Sequence, residues 1–357
     1  MSADSLVNLT EQVLWATFFL AIVFGFAAQR SHFCTMGAVS DIVNLQDWTR
    51  MHMWAVAVAV AMIGFASMSF MGVIDASKAL YASPKILWLS TLVGGLMFGF
   101  GMVLASGCAN KTLLRMSSGS LKSLVVFVVM GVAAFATLKG ITAVLRVNTV
   151  DLLSFTAPPA FTLTMRLILS VVIGLALLLW ALRNPSIRHA SALLPSIVIG
   201  AATVGVWYVS GRLGYLQEHP DTLQEAFLAT NSGRMEALSF VAPTAYVLDW
   251  LMLFSDKSKV LTFGMVSVFG VVVGGFLEAK LSQTFRWEGF GSIEDVANHL
   301  MGAVLMGVGG VTAMGCTIGQ GLSGVSTLAL GSFIALGGIV IGAIFAFRYQ
   351  IWRLDRM

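Results

Sequence analysis

Long apolar runs dominate this chain, and short polar clusters punctuate them. A membrane span requires about 20 mostly apolar residues. Residues 12–29 and 53–74 carry no Asp, Glu, Lys or Arg, and residues 86–110 form a third such run. Residues 123–138 continue past Lys139 to 145, and further runs occupy 167–182, 190–211 and 260–277. The last run, 300–347, holds 48 residues without an Asp, Glu, Lys, Arg or His. One straight helix of that length would extend ~72 Å, against a hydrocarbon core of ~30 Å. It must turn back, and the glycine-rich stretch between Gly315 and Gly324 is the expected turn. The pattern thus predicts about nine transmembrane helices. A shorter apolar stretch, 237–248, is cut off by Asp249 and is expected to be an interfacial or re-entrant helix. The mixed-charge segment 212–236 is expected outside the membrane.

Composition narrows the class. Hydrophobic residues make up 57% of the 357 positions and charged residues 11%, where soluble domains carry about 25% charged residues. A soluble enzyme, a disordered chain and a nucleic-acid-binding protein are excluded. The net charge of +4 is the excess expected of loops facing the cytoplasm. Residues 1–11 hold Asp4 and Glu11 but no Lys or Arg. They lack the basic start of a cleaved signal peptide, so the first run is expected to remain as a span. Placing Arg183, Arg188, Lys111, Arg115, Lys122, Arg348, Arg353 and Arg356 inside puts the N-terminus outside and the C-terminus in the cytoplasm. Lys78, Lys85, Lys257 and Lys259 then fall on the outer face.

The chain also repeats itself. Gly94, Gly99, Gly101, Gly107 and Cys108 match Gly302, Gly307, Gly309, Gly315 and Cys316 at a constant offset of 208 residues. More weakly, Gly25-Phe26 and Arg30 match Gly275-Phe276 and Lys280, which sets Thr284 opposite Cys34. In the nine-span topology the two glycine-rich spans run in opposite directions. The expected architecture is an all-α polytopic membrane protein with two pseudo-symmetric, inverted halves and re-entrant Gly-Cys loops. It forms a single domain over 1–357, with the repeat at roughly 12–145 and 260–347 joined by 146–259. Inverted repeats place a transport site where the halves meet.

The candidate chemistry lies at three cysteines, each at the end of an apolar run: Gln29-Arg-Ser-His-Phe-Cys34, Ser106-Gly-Cys108-Ala-Asn-Lys111 and Met314-Gly-Cys316-Thr-Ile-Gly-Gln320. A single membrane cysteine is better read as a small apolar core residue. Two at equivalent repeat positions, each preceded by Gly107 or Gly315, tilt the reading toward function. Irregular backbone at membrane depth is tolerated only where protein buries it or it lines a cavity. A free thiol ionises near pH ~8.5 and is neutral at pH 7. A neutral S–H offers a weak hydrogen bond to an anion without trapping it, which is what conduction needs. Arg30, Lys111 and Arg115 would attract the anion, and Gln29, Asn110, Thr317 and Gln320 stand beside the breaks. The ordinary alternatives are loop charge for the basic residues and helix capping for the polar ones. Glu278, Asp249, His32 and His299 read as interfacial groups, and Trp54, Trp88, Trp180 and Trp207 as interfacial anchors. No CxxC, HExxH, Walker or GxSxG motif occurs, so neither a cofactor nor a metal is expected.

At the Gln29-Arg30…Phe33-Cys34 segment and the two Gly-Cys loops at Cys108 and Cys316, the sequence resembles the YeeE/YedE family of bacterial inner-membrane proteins with a sulphur-transport domain. The resemblance implies uptake of the thiosulfate ion along a central, hourglass-shaped path across the lipid bilayer. It implies that Cys34, Cys108 and Cys316 pass the ion along by S–H hydrogen bonds, without covalent chemistry or catalysis. It further implies a cytoplasmic partner, a small TusA-like sulfur carrier protein of the YeeD type. Some family members are associated with selenium metabolism, so another sulfur or selenium compound stays open as substrate. From the residues alone, a membrane thiol oxidoreductase and a general small-anion channel also stay open.

Overall fold

A computed structural model describes residues 3–156, 162–220 and 222–355. Arg356, counted above among the inward charges, lies outside the described residues. The first third of the chain folds as α1 (Ala3–Arg30), the short α2 (Thr35–Ser40), α3 (Thr49–Phe70), α4 (Trp88–Leu104) and α5 (Ala109–Ser117). Then come α6 (Leu121–Lys139), α7 (Ile141–Asn148), α8 (Leu163–Leu182), α9 (Ala190–Tyr208) and α10 (Val241–Met252). The chain finishes with α11 (Phe263–Leu281), α12 (Ile293–Thr312) and α13 (Leu330–Leu354). Strand structure is confined, among the described residues, to two-residue ribbons, one of which pairs Lys85–Ile86 with Phe155–Thr156.

Eight of the described helices are long and apolar enough to cross a membrane: α1, α3, α4, α6, α8, α9, α11 and α13. The protein is an all-α polytopic membrane protein. The remaining expected span corresponds to α12, which starts earlier than its apolar run. Its first turn carries Glu294 and Asp295, and Ser292 caps it by accepting the Asp295 N–H. The 300–347 run does break where the glycines suggested, between α12 and α13. Residues 317–326 form a separate short helix there, with a π-helical turn at Gly319–Gly324, and all of that turn is buried.

Glycines set how α4 meets α12. A Cβ built on Gly94 would lie 2.7 Å from the Gly309 carbonyl oxygen, and one built on Gly309 would lie 2.7 Å from that of Gly94. Gly101 and Gly302 repeat the arrangement at 2.7 and 2.6 Å. Adding 208 to 94 and subtracting it from 309 turns the first pair into the second. The two helices therefore cross antiparallel with backbone against backbone, which is how small residues allow membrane helices to approach. On its other side α4 uses Gly95 and Gly99 against the backbone of α13 around Ala335 and Ile339.

Several interfacial readings give way to burial. The 237–248 stretch becomes α10, which packs against α6 and α11 and buries Val241, Pro243, Ala245 and Val247. Asp249 is only 6% exposed, and its carboxylate accepts a hydrogen bond from Lys259 Nζ at 2.5 Å. Glu278 is 5% exposed and accepts from Ser282 Oγ at 3.3 Å. A buried carboxylate is tolerated when paired and hydrogen-bonded. His299 is likewise buried, its Nδ1 within 2.9 Å of Asp295. Trp54 and Trp207 belong to the core, whereas Trp88 and Trp180 keep more than a third of their surface.

Candidate functional site

Three long helices end in the same way. α1, α4 and α12 each stop in a non-glycine residue with left-handed backbone: His32 (φ 51°), Ser106 (φ 56°) and Met314 (φ 59°). The next N–H turns back to the carbonyl five residues earlier. Phe33 bonds Ala28 at 2.9 Å, Gly107 bonds Met102 at 2.8 Å, and Gly315 bonds Gly310 at 2.8 Å. This is a Schellman cap. The following residue is the cysteine in every case, and a short helix starts directly after it, at Thr35, Ala109 and Thr317. Two of the sulfurs cap those helices: Cys34 Sγ accepts the Gly37 N–H at 3.5 Å and Cys316 Sγ the Gly319 N–H at 3.4 Å. The end of α11 carries the same cap at Gln283 (φ 57°), with Thr284 N bonding Ala279 O. Aligned on that cap, Cys34 falls opposite Phe285 rather than Thr284.

These breaks bring the cysteines into one buried zone. All three thiols are free and buried. Cys34 Sγ lies 4.0 Å from Cys108 Sγ. Thr317, the residue after Cys316, approaches the Cys108 thiol and links the third break to the pair. Phe33 stacks on Trp54 with centroids 6.0 Å apart and planes 6° apart. The Trp54 ring also packs over Gly321.

The polar groups around this zone are short of partners. Among the described residues, ten buried side-chain nitrogen or oxygen atoms have no hydrogen bond within the protein, and eight of them cluster here. They belong to Gln29, Thr35, Trp54, Asn110 (both amide atoms), Thr317, Gln320 and Ser332. Buried polar atoms are normally paired, so such a concentration demands a purpose. Thr35, Asn110 and Thr317 each follow a cysteine by one or two residues, and Asn110 and Thr317 are completely buried. The zone therefore sets three thiols beside three hydroxyls, an amide and an indole N–H that have no hydrogen-bond partner within the protein.

The other expected site residues divide. Gln29 is buried and donates to Ser118 Oγ at 2.9 Å, and Gln320 donates to Ala313 O at 2.6 Å. Both keep a free carbonyl oxygen. Lys111 is half-buried one turn past Cys108, with its stem against Gly107. Arg115 ties down the break by donating to the Ser106 carbonyl at 2.9 Å. Arg30 is exposed, beyond the buried zone. Arg50 takes the place expected of it. Its guanidinium rests on Gly37 and pairs with Asp41 at 3.2 Å, beside the helix that Cys34 caps. Arg50 was not singled out in the sequence, and the signal that could have marked it is Gly37, the glycine it covers.

Beyond Cys316, two further residues not singled out in the sequence close on its short helix. A Cβ on Gly319 would meet Ser239 Oγ at 2.6 Å and Tyr81 Oη at 3.1 Å. Burial pushes the Tyr81 phenol above its ordinary range, with Cys316 and Glu236 adding to the effect. It stays a hydrogen-bond donor. Burial likewise raises the Glu236 carboxyl, against backbone N–H donors at Asn231 and Ser232.

The thiol geometry makes a direct prediction. The two sulfurs stand 4.0 Å apart, and a disulfide brings them to about 2.05 Å. A mild thiol oxidant will join Cys34 to Cys108 and leave Cys316 free, as read by alkylation and intact mass. Three alkylated thiols after oxidation would refute the pairing.

Comparison with known proteins decides the family. A profile described as Sulphur transport matches residues 30–345, from the end of α1 into α13. The chain belongs to the Sulphur transport family. It is 28% identical over 328 residues to the thiosulfate transporter TsuA of Escherichia coli (strain K12), covering 89% of each chain. It is 26% identical over 347 residues to the thiosulfate transporter TsuA of Spirochaeta thermophila, covering 92% of this chain and 97% of that one. A shorter match, 31% over 121 residues, joins it to the probable transporter YedE of Escherichia coli (strain K12). Membership places it among transporters of sulfur compounds rather than enzymes.

Proposed function

We propose that this protein takes up thiosulfate across the bacterial inner membrane, along a path through the cysteine breaks, between two inverted halves. The observation that carries the reading is the cluster of buried, unpartnered hydrogen-bonding groups around three free thiols. Thiosulfate presents three oxygens and one soft terminal sulfur. Hydroxyl, amide and indole donors suit the oxygens, and weak S–H donors suit the sulfur. Each contact is weak, so the ion moves on instead of being held. Cys316 receives the ion, Thr317 and Asn110 carry it past the Phe33–Trp54 stack, and the Cys34–Cys108 pair releases it toward Lys111 and Arg50. The short helices after each cysteine act as re-entrant segments, and the exchange of glycine contacts between α4 and α12 supports the inverted repeat. In this reading the N-terminus is outside, and the ion leaves on the cytoplasmic side to a small TusA-like carrier protein of the YeeD type.

The test is uptake of labelled thiosulfate by cells that lack their own route and express the full chain. Accumulation above vector control, competed by unlabelled thiosulfate, is the expected result. Stronger competition by sulfite or a selenium oxyanion would move the assignment to that compound. The 4.0 Å thiol pair favours one rival, a membrane thiol oxidoreductase. That reading requires the pair to cycle between thiol and disulfide during turnover. Uptake with both thiols reduced throughout would dismiss it.

A further inference from the structure

Glu236 is a half-buried acid beside the third break, and the path proposed above leaves it unused. It lines a cavity of about 320 Å³ that also reaches Thr312, Met314 and Gly315 at the end of α12. Asn231 and Ser232, both exposed, line the same cavity, so solvent reaches the carboxyl.

Two side chains tie this acid to the break. Three residues on, Ser239 Oγ lies 2.6 Å from a Cβ built on Gly319, and the Gly319 N–H bonds Cys316 Sγ at 3.4 Å. Tyr81 Oη stands 3.1 Å from the same Gly319 position, within electrostatic reach of both Cys316 and Glu236.

No cation balances the carboxylate among the described residues. Its Oε1 accepts the Asn231 and Ser232 N–H groups at 3.1 and 2.8 Å. Arg146, across the cavity, is paired with Asp151 at 3.2 Å, so those two cancel. Lys78 turns away to Glu225. Arg234, two residues earlier, is exposed and makes no ion pair among the described residues. The other titratable groups facing Glu236 are the Tyr81 phenol from the α3–α4 connection and the Tyr246 phenol from α10, with the Cys316 thiol beyond Tyr81.

A fixed negative charge here works against the ion that Cys316 is to receive. Like charges repel strongly in a low-dielectric wall. Burial without a cation already favours the neutral acid and raises the carboxyl above its ordinary value. An arriving dianion pushes in the same direction. By linkage the effect is reciprocal: the anion strengthens proton binding, and the proton strengthens anion binding by the same factor.

We infer that Glu236 is a proton-binding site coupled to the third break: it takes a proton from the cavity water as the anion reaches Cys316 and gives it up when the ion moves on. The inference rests on the thiosulfate reading above and adds a second ligand, the proton. A raised acid is protonated at low pH and loses its proton as pH rises, so affinity for the anion is highest on the acid side and falls with rising pH.

The test is initial-rate uptake of labelled thiosulfate by proteoliposomes of the full chain, with equal pH inside and out. The range runs from pH ~5.5 to ~8, above the ~4.3 of a free glutamate. Thiosulfate stays a dianion throughout, so any change belongs to the protein. Wild-type KM should rise about tenfold across the range at nearly constant Vmax, the factor set by a coupling of about one pKa step. Glu236→Gln keeps an oxygen for the two N–H groups and mimics the protonated acid. Its KM should stay at the wild-type acid value at every pH. Glu236→Asp, which titrates again, should bring the rise back. A wild-type KM that is flat with pH would overturn the inference, and so would an undiminished rise in Glu236→Gln, which would place the titrating group elsewhere. A high, flat KM in Glu236→Gln would make the charge an aid to binding and overturn it as well. A KM that falls with added sodium at fixed pH in the wild type alone would make Glu236 a sodium ligand, with the same consequence. Absence of wild-type uptake at every pH would bring down the thiosulfate reading itself, whereas the other adverse results leave that reading standing and remove only the proton.

Discussion

Replacing Gly94 with Leu is expected to leave almost no folded protein in the membrane. The position has no room for even one carbon. A Cβ there would press on the Ala313 nitrogen and sit 2.7 Å from the Gly309 carbonyl oxygen. The obstacles are backbone atoms of α12, so no rotamer change relieves them. Overpacking of a tight core typically costs about 1–3 kcal/mol, and a backbone-to-backbone crossing with no side chain to yield lies at or beyond the top of that range. Gly309→Leu should fail in the same manner, because it meets the Phe98 nitrogen and the Gly94 carbonyl from the other side. Gly337→Leu is the control, since nothing lies within 4 Å of its added carbon. The measurement is the monodisperse fraction after detergent extraction. Equal yields for all three would mean that the α4–α12 crossing is looser than described.

Replacing Asn110 with Leu is expected to do the opposite: uptake collapses while the fold holds. Asn110 is fully buried, and both of its amide atoms lack a partner. A buried amide with no partner carries a desolvation penalty of about 1–3 kcal/mol, and a similarly sized apolar side chain removes it. The melting temperature should stay level or rise. Thiosulfate uptake should drop about tenfold, because a neutral donor's hydrogen bond to an ion contributes about 1.5 kcal/mol at the low end of its range. A clear drop in melting temperature would show that Asn110 serves the fold. Unchanged uptake would remove it from the path.

Most of the architecture could be read from the chain because a bilayer imposes length and apolarity on each span. The start of α12 was less visible, because Glu294 and Asp295 open the helix ahead of its apolar run. Asp249 and Glu278 were misplaced for a related reason: a charge ending an apolar run looks interfacial, and only the contacts of Lys259 and Ser282 show the burial. The three cysteines were legible, but their common cap was not. Helix ends are usually signalled by glycine in the left-handed position, and here His32, Ser106 and Met314 occupy it. The proximity of Cys34 to Cys108 was beyond reach, since it depends on α2 and α5 folding in from breaks 74 residues apart. Trp54, Thr35 and Ser239 gave no motif at all. Their roles come from packing between distant segments.

The central claim is that the thiols carry the ion and do not merely fill space. The most direct measurement is labelled thiosulfate uptake by Cys34→Ala, Cys108→Ala and Cys316→Ala, each matched to the wild type for membrane expression. Removing one buried sulfur costs about 1 kcal/mol of packing, so the fold should survive in each. The account predicts that all three variants take up far less thiosulfate than the wild type while staying folded, with melting temperatures within about 4 °C of it. Wild-type rates in all three would contradict it, and would leave a sulfur transporter whose cysteines are only part of its core.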